Sequence, residues 1–163
     1  MTINSTAKYQ GYVLTTITQA LSGIEGVTVN LQSGKDRSAF IYNCHKNGSF
    51  FSIGVYIKIS TARRSPWRYT FLRQHQETVE IMNGVCDETF VIFVNDDDGV
   101  ACLDFAGLKE LLDDNFEDAE WVSVSRKLNE SHKLAGKDGQ LSGKSKRSAF
   151  PSAISSLVSA NLD

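Results

Sequence analysis

Two stretches of this chain gather side chains suited to holding anions. Ser60-Thr61-Ala62-Arg63-Arg64-Ser65-Pro66-Trp67-Arg68-Tyr69 puts three guanidiniums, two aromatic rings and three hydroxyls into ten residues. Arginine forks match phosphate oxygens, and a tryptophan or tyrosine ring can stack on an unpaired base or pin its loop to the core. A helix is predicted to start just beyond, and helix N-termini favour anions. The second stretch holds Arg126, Lys127, Lys133, Lys137, Lys144, Lys146 and Arg147, seven cations against only Glu130 and Asp138. Such a tract follows a nucleic-acid backbone, keeps a chain soluble, or pairs with an acidic partner such as the run from Asp113 to Glu120. The nucleic-acid-binding candidates are Arg63, Arg64, Trp67, Arg68, Lys144, Lys146 and Arg147.

Lys58 is the third point of chemical interest. In Ser49 to Ser60 the residues Phe51, Ile53, Val55, Ile57 and Ile59 share one strand face, and Ser52, Gly54, Tyr56, Lys58 and Ser60 share the other. An unpaired ammonium is costly to bury, so Lys58 either snorkels to solvent or points at an anion. Carboxylates suited to metal-dependent chemistry are few: Glu25, Asp36 and Asp104. Asp96-Asp97-Asp98-Gly99 fails as a calcium loop, because Val94 and Phe105 stand where the first and last ligands belong. Cys44, His45 and His75 lack zinc-ligand spacing. No GxSxG, GxxxxGK[ST] or dinucleotide glycine fingerprint occurs.

The elements that must position these groups follow from periodicity. Tyr9, Val13, Ile17, Leu21 and Ile24 recur at helical spacing and end at Gly23 and Gly26. Val27 to Leu31 alternates as a strand. Ala39 to Cys44 and Ser49 to Ser60 are β-rich and joined through Asn47-Gly48, a hairpin turn. Thr61 to Tyr69 reads as a connection, and Leu72, His75, Val79 and Met82 mark a second helix over Phe71 to Asn83. Thr89 to Val94 is a buried strand that turns through the Asp96–Asp98 run into Val100 to Leu103, a second hairpin. A short helix follows behind Asp104, a suitable cap. Glu120 to Ser125 reads as a last strand, Arg126 to Ser148 as a basic loop or mobile arm, and Phe150 to Leu162 as a terminal helix.

The fold class expected is therefore α/β (α+β), a central mixed sheet flanked by helices, with core order αβββαβ followed by a β-hairpin, a short helix and a last strand. The 163 residues, 41% hydrophobic and 22% charged, make one domain with a sizeable core, and the net charge of −2 singles out no partner class. Three dispersed cysteines, Cys44, Cys86 and Cys102, suit buried thiols in a reducing compartment. With no leader and no membrane-length apolar run, the expected location is cytoplasmic, with no membrane partner.

The helix, three strands, helix and strand over Lys8 to Val94 resemble the core of the restriction-endonuclease-like, or PD-(D/E)XK, superfamily. In that family an acid at the second core strand and a (D/E)-x-K triplet at the third hold a divalent metal beside the scissile phosphate, and the lysine assists the attacking water. The resemblance implies Asp36 and Lys58 as catalytic residues and Asp36 as a metal ligand, with Mg²⁺ or Mn²⁺ the cofactor of an active nuclease. The triplet here is Tyr56-Ile57-Lys58, so one carboxylate has become a tyrosine. The expected function is a nuclease-like domain that binds DNA or RNA and is catalytically degenerate if that loss matters. Its implied setting is genome defence, counter-defence or mobile-element biology. The alternative is a non-catalytic protein-interaction subunit or inhibitor; a small-molecule enzyme has the least support.

Overall fold

The computed structural model describes residues 2–162. Helix α1 (Ser5–Ser22) starts at Asn4, whose side chain accepts a hydrogen bond from the Ala7 N–H. It leads into β1 (Thr28–Ser33), β2 (Ala39–Lys46) and β3 (Ser49–Ser60), an antiparallel meander. The β2–β3 turn is Asn47-Gly48, with φ of 50° and 82°, so both residues are left-handed, as a two-residue hairpin requires. Next come β4 (Trp67–Leu72), α2 (Arg73–Val85) and β5 (Glu88–Asn95), and β5 lies parallel to β3. A 3₁₀ turn at Asp96–Asp98 reverses the chain into β6 (Gly99–Asp104). The result is a five-stranded mixed sheet in the order β1-β2-β3-β5-β6.

Asp104 caps α3 (Phe105–Leu111), accepting from the Gly107 N–H at 2.8 Å. Beyond α3, β7 (Ala119–Ser125), β8 (Lys133–Gly136) and β9 (Gly139–Gln140) join β4 in an antiparallel second sheet ordered β4-β7-β8-β9, and α4 (Ala149–Asn161) ends the chain. The expected α+β class with a central mixed sheet flanked by helices is what the chain forms.

Alternation along β3 and β5 divides the interior in two. Ile53, Val55, Ile57, Phe90, Ile92 and Val94 pack against Val13, Ile17 and Leu21 of α1 and Ile154 and Val158 of α4. Tyr56, Val91 and Phe93 face a second core built from β4, α2, α3, β7 and β8. Both faces of β5 are covered, which is why its sequence is nearly all apolar. Cys44 and Cys102 are buried and Cys86 half-buried, all as free thiols.

Two expectations change. Trp67 to Leu72 is a strand rather than loop and helix start: Trp67, Tyr69 and Phe71 point inward while Arg68, Thr70 and Leu72 point out. Its pairing partner is β7, some fifty residues on in the chain, so local pattern favoured the helix that begins at Arg73. The stretch Arg126–Ser148, expected as a loop or mobile arm, carries β8, β9 and a bridge between His132 and Ser145, with His132 and Leu134 fully buried. Gly136 and Gly139 mark close packing: a Cβ on Gly136 would stand 2.8 Å from the Leu111 Cβ. Among the described residues no helix is long and apolar enough to cross a membrane.

Candidate nucleic-acid interface

Asp36, Tyr56, Lys58 and His75 meet where β3 ends. Tyr56 and Lys58 point toward α2 and β4, as alternation along β3 requires. The loop before β2 runs alongside, with the Ile57 N–H donating to the Ser38 carbonyl at 2.9 Å. That brings Asp36 within reach. One oxygen of its carboxylate accepts from the buried Tyr56 hydroxyl at 3.1 Å and the other from the Ser38 N–H at 2.8 Å.

Lys58 Nζ donates to the Thr70 carbonyl at 2.6 Å, lies 3.3 Å from His75 Nδ1 and stands 4.8 Å from the centre of the Phe71 ring. The His75 Nδ1 also accepts from the Leu72 N–H at 3.2 Å, so the ring is neutral with its proton on Nε2. Burial pulls Lys58 down to about 8, partly offset by the Asp36 carboxylate. Burial, then the Lys58 charge, lowers His75. The cluster therefore brings together the Lys58 ammonium, the Asp36 carboxyl and an imidazole whose protonation burial and Lys58 oppose. Two of the three Lys58 donors are engaged, which leaves one.

These residues do not fit a catalytic divalent metal. Asp36 is the one carboxylate of the cluster, and both of its oxygens already accept hydrogen bonds. A hard cation wants several oxygen ligands in near-octahedral array. Glu25 is exposed after α1 and Asp104 caps α3, so neither of the other candidate carboxylates joins Asp36.

The two basic tracts meet at one contact. The Arg126 N–H donates to Ser65 Oγ at 3.1 Å, across sixty-one residues of sequence. Around it lies a cleft of about 420 Å³ lined by Ser65, Ser125, Ser131, Arg126, Lys127, Lys133 and Lys144, with Glu130 as its acid. Arg63 and Arg64 are exposed on the loop just before Ser65 and, among the described residues, meet no carboxylate at ion-pair distance; the same holds for Lys127, Lys133 and Lys146. Lys144 pairs with Glu130 at 2.9 Å.

Arg126 and Arg147 are both tied to Asp98, Arg126 with a nearly buried side chain and Arg147 from the exposed surface. Arg126 forks onto both oxygens of Asp98 at 2.9 and 2.7 Å with its side chain 9% exposed, and this holds the Asp98 carboxyl below its usual range. Arg147 donates to the Asp98 carbonyl at 2.8 Å. Trp67 is 2% exposed and donates from Nε1 to the Ala62 carbonyl at 2.7 Å. Of its two expected roles it therefore has the structural one: it pins the arginine loop, and its buried ring has no face open to a base.

The open ring belongs to Trp121, which the sequence reading passed over. It is 38% exposed on the outer face of the second sheet, with the Arg68 guanidinium 5.5 Å from its ring centre. A groove of about 600 Å³ runs from Trp121 past Ser123 to Ser125 and Lys133, both of which also line the basic cleft. The signal for Trp121 was the strict alternation of β7, which turns Glu120, Val122 and Val124 inward and Trp121 outward.

The chain matches no family model, no curated protein and no solved structure.

Proposed function

We propose that this chain is a nuclease-like domain that binds DNA or RNA without cutting it. The observation that carries this reading is the Arg126–Ser65 contact, which joins two independently basic stretches of sequence into one cleft. A phosphodiester backbone running through that cleft meets Lys127 and Lys133 on its wall and Arg63 and Arg64 on its rim. The adjoining groove offers Trp121 and Arg68 as a stacking surface for unpaired bases, which favours a single strand. Helix α1, strands β1 to β3, helix α2 and strand β5 follow the order of the resemblance noted above, with β4 inserted. Tyr56 in the triplet and the lone Asp36 argue against cleavage.

The test is a gel-shift titration with labelled single- and double-stranded DNA and RNA across a salt series, with and without Mn²⁺. Salt-dependent retardation of intact strands is expected, tightest for a single strand. Mn²⁺-dependent shortening would replace the non-cutting reading with a nuclease, and no retardation at low salt would remove nucleic acid altogether.

The second reading, a protein-interaction subunit, is favoured by α2, where Ile81 and Val85 are 68% and 69% exposed one turn apart. It expects a stoichiometric protein partner that survives nuclease treatment and is lost on I81S/V85S.

A further inference from the structure

Three carboxylates converge at the β8–β9 turn, where Asp138 stands at the far end of the Trp121 groove from Ser125 and Lys133. Asp113 follows α3, Glu120 points inward from β7, and Asp138 sits in the β8–β9 turn. One oxygen from each lies within 4.8 Å of the others. Two hydrogen bonds from backbone N–H groups fix the arrangement: the Asp138 N–H donates to the Leu111 carbonyl at 3.0 Å, and the Asp113 N–H donates to the Asp138 side-chain Oδ2 at 2.9 Å.

Glu120 is the anomaly. It is 2% exposed, and Gln76 of α2 donates to its Oε2. Its Oε1 is fully buried with no hydrogen-bond partner, beside the Asp138 carboxyl. Burial, with Asp138 and Asp113 beside it, pushes the Glu120 carboxyl up, against the pull of Gln76. An unpaired buried carboxylate oxygen turned toward two further acids is unfavourable unless something positive stands between them. Among the described residues no side-chain cation does so: Lys137, beside Asp138 in the turn, pairs with Glu117 instead.

We propose that Asp113, Glu120 and Asp138 bind one hard divalent cation of the Ca²⁺, Mg²⁺ or Mn²⁺ class. All three side-chain ligands are oxygen and anionic, the donor set such ions prefer over soft metals, with water to complete the shell. The ion fastens the β8–β9 turn to the end of α3 and to β7. Because β8 carries Lys133, it also steadies one wall of the basic cleft, although the ion site stands whether or not that cleft binds nucleic acid.

The test is isothermal titration calorimetry and thermal melting of the whole chain, freed of metal with EDTA and dialysed, against CaCl2, MgCl2 and MnCl2. Binding of at least one of these ions is expected at one per chain, with a melting-temperature rise of roughly 8 °C at a hundredfold excess over Kd. E120Q and D138N should each weaken binding at least tenfold, while D97N, on an exposed acid elsewhere, leaves it unchanged. Asp138 is exposed, so D138N keeps the test decisive if E120Q fails to fold. No heat and no melting shift with any of the ions at about 10 mM, beyond the weak end of protein calcium sites, would overturn the site. So would wild-type affinity in D138N. Glu120 and Asp138 would then share a proton instead.

Discussion

Salt dependence gives the sharpest quantitative check on the basic cleft, because the cations free to meet phosphate can be counted. Arg126 is locked on Asp98 and Lys144 on Glu130, whereas of the cations on the wall and rim of the cleft Arg63, Arg64, Lys127 and Lys133, among the described residues, meet no carboxylate at ion-pair distance. With about four phosphates neutralised, the logarithm of the binding constant should fall against the logarithm of salt with a slope of about −3.6 on duplex and about −2.8 on a single strand. Between about 50 and about 200 mM salt that is a loss of roughly 150-fold for the duplex and roughly 50-fold for the single strand. R63A/R64A removes two of the four, so the slope should halve and the single-strand loss shrink to roughly sevenfold. Both arginines are exposed, so the melting temperature should stay where it was. Fluorescence anisotropy on a labelled oligonucleotide across the salt series reads the slope directly. A slope near zero in the wild type, or one unchanged in the double variant, would refute the assignment of these four cations.

Three further outcomes are expected. His132 is fully buried, and burial lowers it from 6.5 to about 4, with Arg126 and Arg147 adding to the shift and Asp98 opposing it. Its folded value lies below its unfolded one, so the stability it confers is complete above pH 6.5 and lost as pH falls toward 4, about 3 kcal/mol in all. Urea unfolding at a series of pH values should show that loss in the wild type and a shallower one in H132Q; equal slopes would count against it. At Lys58, D36N removes the carboxylate that supports the ammonium, so its NMR titration midpoint should fall below the wild-type value of about 8, and a rise would contradict the cluster's geometry. Gly136→Ala would drive a methyl against the Leu111 backbone and side chain and should destabilise by about 3 kcal/mol, read by chemical denaturation; a neutral result would mean that β8 and α3 are not in contact.

The sequence made the central sheet legible because each of its elements carries a local signature. The Asn47-Gly48 turn, the alternation of β3, the continuous apolar run of β5 and the Asp104 cap all act within a dozen residues. The second sheet was not legible, because it is assembled from long-range pairings: β4 with β7, and β8 held by the flank of α3. Pro66 and three arginines disguised the entry to β4, and the glycines and lysines of 126–148 disguised close packing as mobility. The same cause limited the site. Lys58 and Asp36 could be named from residue type and topology. The burial of Trp67, the exposure of Trp121 and the isolation of Glu120 depend on which face of the second sheet looks outward.

Binding and cutting ask different things of a polynucleotide-facing site, and the proposed function requires only the first. Cutting in a frame of this kind needs a metal-held water, hence several oxygen ligands beside the lysine. Here Tyr56 donates to the lone Asp36 and so uses part of the ligand capacity it would otherwise have enlarged. Lys58 turns toward the Thr70 carbonyl and a neutral His75, which steady the junction of β3, β4 and α2. Binding needs only fixed cations along a trough, and the Arg126–Asp98 fork supplies the rigidity by bracing the wall of the cleft from within. At the position where the resemblance would place a metal-binding acid, Tyr56 makes a structural hydrogen bond, and the cationic cleft does not depend on it.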